Sequence, residues 1–137
     1  MKSKYLYFIF VLLCLVGCSG LPYSFAENES KTATIIFEKR TPIYGPSSDI
    51  NLLEFDGIAL TKKTKNIVFP AGRSLKLKVH VHEYKYDREI LFECPALEAG
   101  KTYECGFYGV YKGAGHIMIR QRGTLGVKPL LDYEYTE

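Results

Sequence analysis

Apolar and polar residues alternate without a break along the stretch LKLKVHVH, residues 75–82. Successive side chains of a β-strand point to opposite faces, so the leucines and valines of this stretch would face a core and the lysines and histidines would face water. Other short runs rich in β-branched and aromatic residues, separated by turn residues, occur at 32–40, 50–60, 66–69, 89–94, 102–111 and 116–122. No run of ten or more residues among them shows helical spacing. The pattern predicts an all-β fold, a single antiparallel β-sandwich of about seven or eight strands.

The first twenty residues have a different pattern. Lys2 and Lys4 precede an uninterrupted apolar and aromatic run, residues 5–16, which is followed by the small residues Gly17, Ser19 and Gly20. This is the layout of a secretory signal peptide. As a helix the run would cover roughly 18 Å, which is too short for the ~30 Å hydrocarbon layer of a membrane.

The signal ends in LVGC, Leu15 to Cys18, which resembles the lipobox of bacterial lipoproteins. The resemblance implies that the chain is cleaved before Cys18, that Cys18 carries diacylglycerol and that its new amino group is acylated. Two or more acyl chains anchor a protein stably, whereas one binds only marginally. Ser19 in place of Asp after the cysteine implies the outer membrane, with the domain facing the periplasm, or the cell membrane in an organism with no outer membrane.

Three segments follow from this interpretation. Residues 1–17 are the signal peptide, residues 18–31 are the lipidated cysteine and a flexible tether, and residues 32–137 are the β-sandwich domain. The tether shows no sustained periodicity and would reach about 20 Å if flexible. Without Lys2 and Lys4, 16 of the 18 basic side chains remain against 15 acidic ones, so the charge gives no argument for a nucleic-acid partner.

Two cysteines remain after processing, because Cys14 leaves with the signal and Cys18 carries lipid. In an oxidising compartment an even pair predicts a disulfide between Cys94 and Cys105. A hairpin across the loop 98–101 would set these cysteines opposite each other on the core face. The alternative is two buried free thiols.

Turn residues in the middle of the chain carry a second resemblance. The series FDG, VFPAGRSLKLKV and LEAGKTYEC, between Phe55 and Cys105, is similar to small prealbumin-like or PEGA-like β-sandwich lipoproteins of unknown function. Arg73 stands where many such modules carry His. The resemblance implies a domain with no catalytic residues that adheres to an envelope partner, and it names no ligand.

Candidate chemistry is sparse. The chain has neither G-x-S-x-G nor a phosphate-binding glycine loop before a helix, so we expect no enzymatic activity and no cofactor. His80 and His82 lie at alternate positions of one strand and are candidates for a metal site, for which His116 is the remaining histidine. The simpler interpretation is two solvated side chains on the polar face of a strand.

Basic residues suggest a binding surface. Lys76 and Lys78 share the polar face of the 75–82 strand with the histidines, and Arg120 and Arg122 share one parity in the run 116–122. If both strands belong to one sheet, these side chains form a basic stripe suited to phosphates or carboxylates of the envelope. The alternative is a charged face kept for solubility.

The chain has eleven tyrosines. Tyr84, Tyr86, Tyr108 and Tyr111 cannot all be buried, so some of them are expected in an amphipathic contact surface. Altogether the sequence predicts a lipid-anchored, non-enzymatic envelope lipoprotein that binds a macromolecular or cell-wall partner. The alternative is a periplasmic metal-binding or inhibitor/immunity-type lipoprotein, indicated by the histidines or by a loop that protrudes from the sandwich.

Overall fold

The computed structural model describes residues 23–111, 114–124 and 126–136. The predictions for the signal peptide and for Cys18 lie outside these residues, as does that for the side chain of Tyr111. The described residues form strands and no helix. The strands are β1 (Tyr23–Ser24), β2 (Thr32–Phe37), β3 (Lys39–Arg40), β4 (Ser48–Phe55), β5 (Ile58–Ala59), β6 (Asn66–Pro70), β7 (Leu75–Glu83), β8 (Tyr86–Cys94), β9 (Thr102–Tyr111), β10 (Ala114–Gln121) and β11 (Leu131–Thr136).

These strands form two sheets, which confirms the predicted all-β class. The six-stranded sheet has the order β1-β6-β2-β9-β10-β11, and the five-stranded sheet has the order β3-β4-β7-β8, with β5 paired to β4. The purely antiparallel arrangement was wrong, because β1 pairs with β6 and β2 pairs with β9 in parallel. Hairpins impose antiparallel pairing only on strands joined by short turns, and neither of these pairs is consecutive in the chain.

The core lies where the two sheets face each other. Leu75, Leu77, Val79 and Val81 are fully buried, as the alternation of β7 predicts. Aromatic rings join the sheets: the centroids of Phe55 and Phe69 lie 5.3 Å apart, and further along the core Tyr86 stacks on Phe107. Burying a side chain of this size contributes roughly 1.5–3 kcal/mol, so these contacts hold the sheets together.

An Asp-Gly dipeptide, which accepts positive φ, forms a tight hairpin turn. Asp56 and Gly57 both have positive φ, 47° and 81°, and they connect β4 to β5. The Asp56 carboxylate accepts hydrogen bonds from Arg73 at 2.7 Å and from the Lys76 amide at 2.9 Å. Partial burial alone would raise the pKa of Asp56, but these bonds outweigh it and lower the pKa. Arg73 therefore ties the turn before β7 to the β4–β5 hairpin.

The folded domain begins earlier than predicted. The Phe25 amide donates to the Val68 carbonyl at 2.9 Å, and the Phe25 ring lies 5.0 Å from that of Phe55. Ala26 is buried. The flexible tether predicted over 18–31 therefore does not extend past Tyr23. The polar residues that follow Ala26 make this segment look like a tether, although the rings of Tyr23 and Phe25 pack against the edge of the core.

The predicted hairpin between the two cysteine strands was also wrong. β8 pairs with β7 in the five-stranded sheet, whereas β9 lies between β2 and β10 in the other sheet. Pro95 directly follows Cys94 and cannot donate a ladder hydrogen bond, so the strand ends there and the chain crosses to the second sheet. Cys94 and Cys105 both face the core, as predicted, but as free thiols with no bond between them.

Candidate interaction site

The predicted basic stripe does not form. Lys76 and Lys78 lie on β7 of the five-stranded sheet, whereas Arg120 lies on β10 of the six-stranded sheet and Arg122 directly follows that strand. β7 and β10 have the same alternating pattern, but each pairs within its own sheet. The polar faces of these two strands therefore point away from each other.

Acidic side chains of β8 offset the basic row of β7. In the antiparallel register Lys76 pairs with Glu93, and Lys78 lies 3.1 Å from Glu89 and 3.7 Å from Glu54. The Glu89 hydrogen bond is the largest influence that raises the pKa of Lys78. Such cross-strand pairs stabilise a solvated sheet face, and they leave it without a concentration of positive charge.

The histidines do not converge on a metal site. His80 and His82 both contact the Asp87 carboxylate across the β7–β8 pair, and hydrogen bonding from His80 lowers the pKa of Asp87. His116 lies on the other sheet, where its Nδ1 is 2.9 Å from Asp132. Within the part of the chain that the structure describes, no group of three His, Cys, Asp or Glu side chains is arranged to hold a metal ion.

The two arginines belong to a charged cluster on the outer face of the six-stranded sheet. Arg122 Nε lies 3.3 Å from Glu104, and Glu104 in turn hydrogen-bonds Glu38. Burial, then the Glu104 charge, raises the pKa of Glu38, while Arg120 acts in the opposite direction. Sequence pattern alone does not reveal these two acids as neighbours. Glu38 follows β2 and Glu104 lies on β9, and only the parallel pairing of β2 and β9 brings them together.

Tyr108 lies over the same cluster. The Arg40 guanidinium stacks 4.0 Å from the centre of its ring, and the ring covers Gly106, where a Cβ atom would come within 2.8 Å of it. This tyrosine is half-buried, and burial raises its pKa. The cluster is therefore a packed, largely neutralised patch on a sheet face.

The most exposed apolar side chains gather at one end of the domain. Ile43 and Tyr44, in the loop between β3 and β4, are 93% and 91% exposed, and Tyr84, in the turn between β7 and β8, is 73% exposed. The pairing of Ser48 with Glu83 sets the two connections side by side. We call this surface, residues 41–47 and 83–88, the loop end.

A buried hydrogen bond connects the base of the loop end to the opposite sheet. The Ser48 hydroxyl is buried and donates to the Phe107 carbonyl at 2.8 Å, which joins the first residue of β4 to the opposite sheet. Between the two connections lies a cleft of about 300 Å³, lined by Pro46 and residues 83–88. This volume is at the lower limit of small-molecule pockets.

Tyr84 has an unfavourable backbone conformation. Its φ is +52°, at the first position of a two-residue hairpin turn where glycine is preferred. Lys85 extends beside it, with its ammonium 5.5 Å from the centre of the Tyr84 ring. A bulky residue held at positive φ while its ring stays in solvent costs stability, and residues of this kind cluster at functional sites.

The composition of the loop end is that of a contact surface. Its exposed isoleucine and tyrosines match the composition of interface centres, where aromatic side chains combine apolar area with a hydroxyl group. Of the predicted contact tyrosines, Tyr84 is exposed and Tyr86 is buried. Ile43 and Tyr44 were missed, although an apolar pair between Pro42 and Pro46 in an evident loop is a signal for them.

Comparison with known proteins gives no relative. No protein-family profile, no curated protein and no solved structure matches this chain.

None of the described segments is a helix long and apolar enough to cross a membrane.

Proposed function

We propose that this chain is a lipid-anchored, non-enzymatic lipoprotein of the bacterial envelope, whose β-sandwich domain binds a macromolecular or cell-wall partner through the loop end. The observation that carries the proposal is the exposure of Ile43, Tyr44 and Tyr84 on two neighbouring connections. Cys18 is the lipid attachment site, and the domain faces the periplasm from the outer membrane.

Burial energetics support a partner at this surface. An isoleucine left in water forgoes roughly 1.5–3 kcal/mol relative to burial, and the rings of the two tyrosines add apolar area to the same surface. Tyr84 also keeps an unfavourable φ that a glycine would relieve. These side chains contribute little to folding, and their exposure is explained if a partner covers them in a complex.

The anchor is tested by replacing Cys18 with Ala. The variant should lose the label from a radioactive fatty-acid precursor and keep the mass of its signal peptide. Recovery of labelled protein at the mature mass from the variant would contradict lipid attachment at Cys18.

The partner is tested by co-purification from detergent-solubilised envelopes. A variant with Ile43 and Tyr44 both replaced by Ser should lose the partner while its folded fraction stays unchanged. The matched control is Leu91→Ser, since Leu91 is 64% exposed but lies on the sheet face rather than at the loop end. Loss of the partner in the control, or retention in the double variant, would contradict a binding role for the loop end.

One observation favours inhibition as a second candidate function. All seven residues of the loop 41–47 are exposed, with an apolar pair between two prolines. Prolines reduce the entropy that a loop loses on binding, as expected for a segment inserted into an enzyme's cleft. If the co-purified partner is an enzyme, the wild-type protein should inhibit it in vitro and the Ile43/Tyr44 double variant should not.

A further inference from the structure

We propose that the loop between β5 and β6, residues 60–65, binds the anionic headgroups of the membrane that holds the chain, through Lys62 and Lys63. The inference rests on the proposed lipid attachment at Cys18. It assigns the side of the domain that faces the bilayer.

The polypeptide joins the fold beside this loop. The Thr61 hydroxyl donates to the Tyr23 hydroxyl at 3.2 Å. Tyr23 pairs with Ile67, the second residue of β6, and the loop leads directly into that strand. The first described residue of the chain is therefore in direct contact with the loop that carries the two lysines.

The remaining distance to the anchor is short. Five residue steps separate Tyr23 from Cys18, which at full extension span at most about 17 Å. The headgroup layer on each side of the hydrocarbon is roughly 6 Å thick. A cysteine held by its lipids at the base of that layer keeps the Tyr23 side of the domain close to the headgroups.

The charges of the loop suit such a contact. Lys65 hydrogen-bonds the Asp49 carboxylate and the Ile50 carbonyl, which fixes the end of the loop on β4. Lys62 and Lys63 are exposed, and no described carboxylate lies within ion-pair distance of either. In this they differ from Lys78 of the sheet face, which has two acidic neighbours.

The acidic residues that follow β1 lie at the end of that strand away from the lysine loop. β1 runs parallel to β6 and therefore away from the lysine loop, and Glu27 and Glu29 follow beyond the buried Ala26. The lysine loop joins β5, which pairs with β4, to β6, which is second in the six-stranded sheet. The edge strands β8 and β11 are at the other end of each sheet's strand order. With the lysine loop against the bilayer, those edges point away from it.

Amine labelling of the reconstituted protein tests the inference. Full-length lipidated protein is incorporated into vesicles of phosphatidylcholine alone or of equal parts phosphatidylcholine and phosphatidylglycerol, and lysine modification is read by peptide mass spectrometry. Labelling of Lys62 and Lys63 should be about fivefold lower in the anionic vesicles. Lys85 and Lys128, which are exposed elsewhere, should label equally in both and serve as internal controls.

Salt provides a second readout. The protection of Lys62 and Lys63 should weaken at about 1 M salt, where the screening length falls to roughly 3 Å. Incorporation with equal labelling in both vesicles would overturn the headgroup contact and leave the anchor intact. Failure of the protein to incorporate into either vesicle would overturn the lipid anchor, and this inference with it.

Discussion

Replacing Tyr84 with Gly should stabilise the domain, although it removes a large aromatic side chain. An L-residue in the left-handed region costs roughly 1–2 kcal/mol, and glycine avoids this cost. Glycine's greater freedom in the unfolded chain offsets roughly 0.5–1 kcal/mol of the gain. Since the Tyr84 ring is 73% exposed, its removal forfeits little buried area. The free energy of unfolding should therefore rise by about 0.5–1 kcal/mol, with a melting temperature higher by about 2–5 °C.

Two further variants separate the backbone from the side chain. Tyr84→Ala removes the ring but keeps the unfavourable φ, so it should not be stabilised. Lys85→Gly adds a glycine at the neighbouring position and controls for a general effect of flexibility in the turn. The variants are compared by urea unfolding at neutral pH. A Tyr84→Gly protein less stable than wild type, or no more stable than Tyr84→Ala, would refute the strain argument.

Three further predictions concern pH and thiol reactivity. Arg73→Ala should lower the free energy of unfolding by about 0.5–1 kcal/mol at neutral pH. Because Arg73 lowers the pKa of Asp56, the loss should begin to shrink below the ordinary Asp56 value of 3.8 and vanish as pH falls through the lowered value. A pH-independent loss in urea titrations would contradict the ion pair. Burial and a neighbouring carboxylate raise the pKa of Glu38, so wild-type stability should fall as pH rises through that raised value. Glu38→Gln should be more stable than wild type by under about 1 kcal/mol at neutral pH and equally stable in acid. A Gln variant that is less stable at neutral pH would contradict this reasoning. Burial raises the pKa of Cys94 to about 12 and that of Cys105 well above its ordinary value. Iodoacetamide should therefore modify neither thiol in the native protein and both after denaturation. Rapid alkylation of the native protein would exclude burial of the thiols, and two unreactive cysteines in the denatured chain would indicate a disulfide.

Local patterns predicted much of the strand structure. The alternation of β7 identified its buried face, because that pattern depends on residues close in the chain. The strand β11 was missed although it carries the same signal, with Leu131, Tyr133 and Tyr135 alternating with polar residues. A regular search for period two would have found it.

Pairing between distant strands was not predictable in the same way. The cysteine hairpin and the basic stripe both assumed that a pair of strands shared a sheet, and strand parity cannot decide which sheet a strand joins. The contact of Glu38 with Glu104 depends likewise on the parallel pairing of β2 with β9. At the loop end, the apolar pair Ile43-Tyr44 between two prolines is a local signal, but its position beside Tyr84 depends on the pairing of β4 with β7.

Site-specific photo-crosslinking in cells tests most directly whether the anchored domain binds a partner through the loop end. A photoreactive amino acid is placed at Tyr44, and in a parallel strain at Leu91 on the outer face of the five-stranded sheet. We expect a discrete crosslinked product in the membrane fraction from position 44 and none from position 91. Absence of a product at position 44, or the same product from both positions, would contradict a binding role for the loop end.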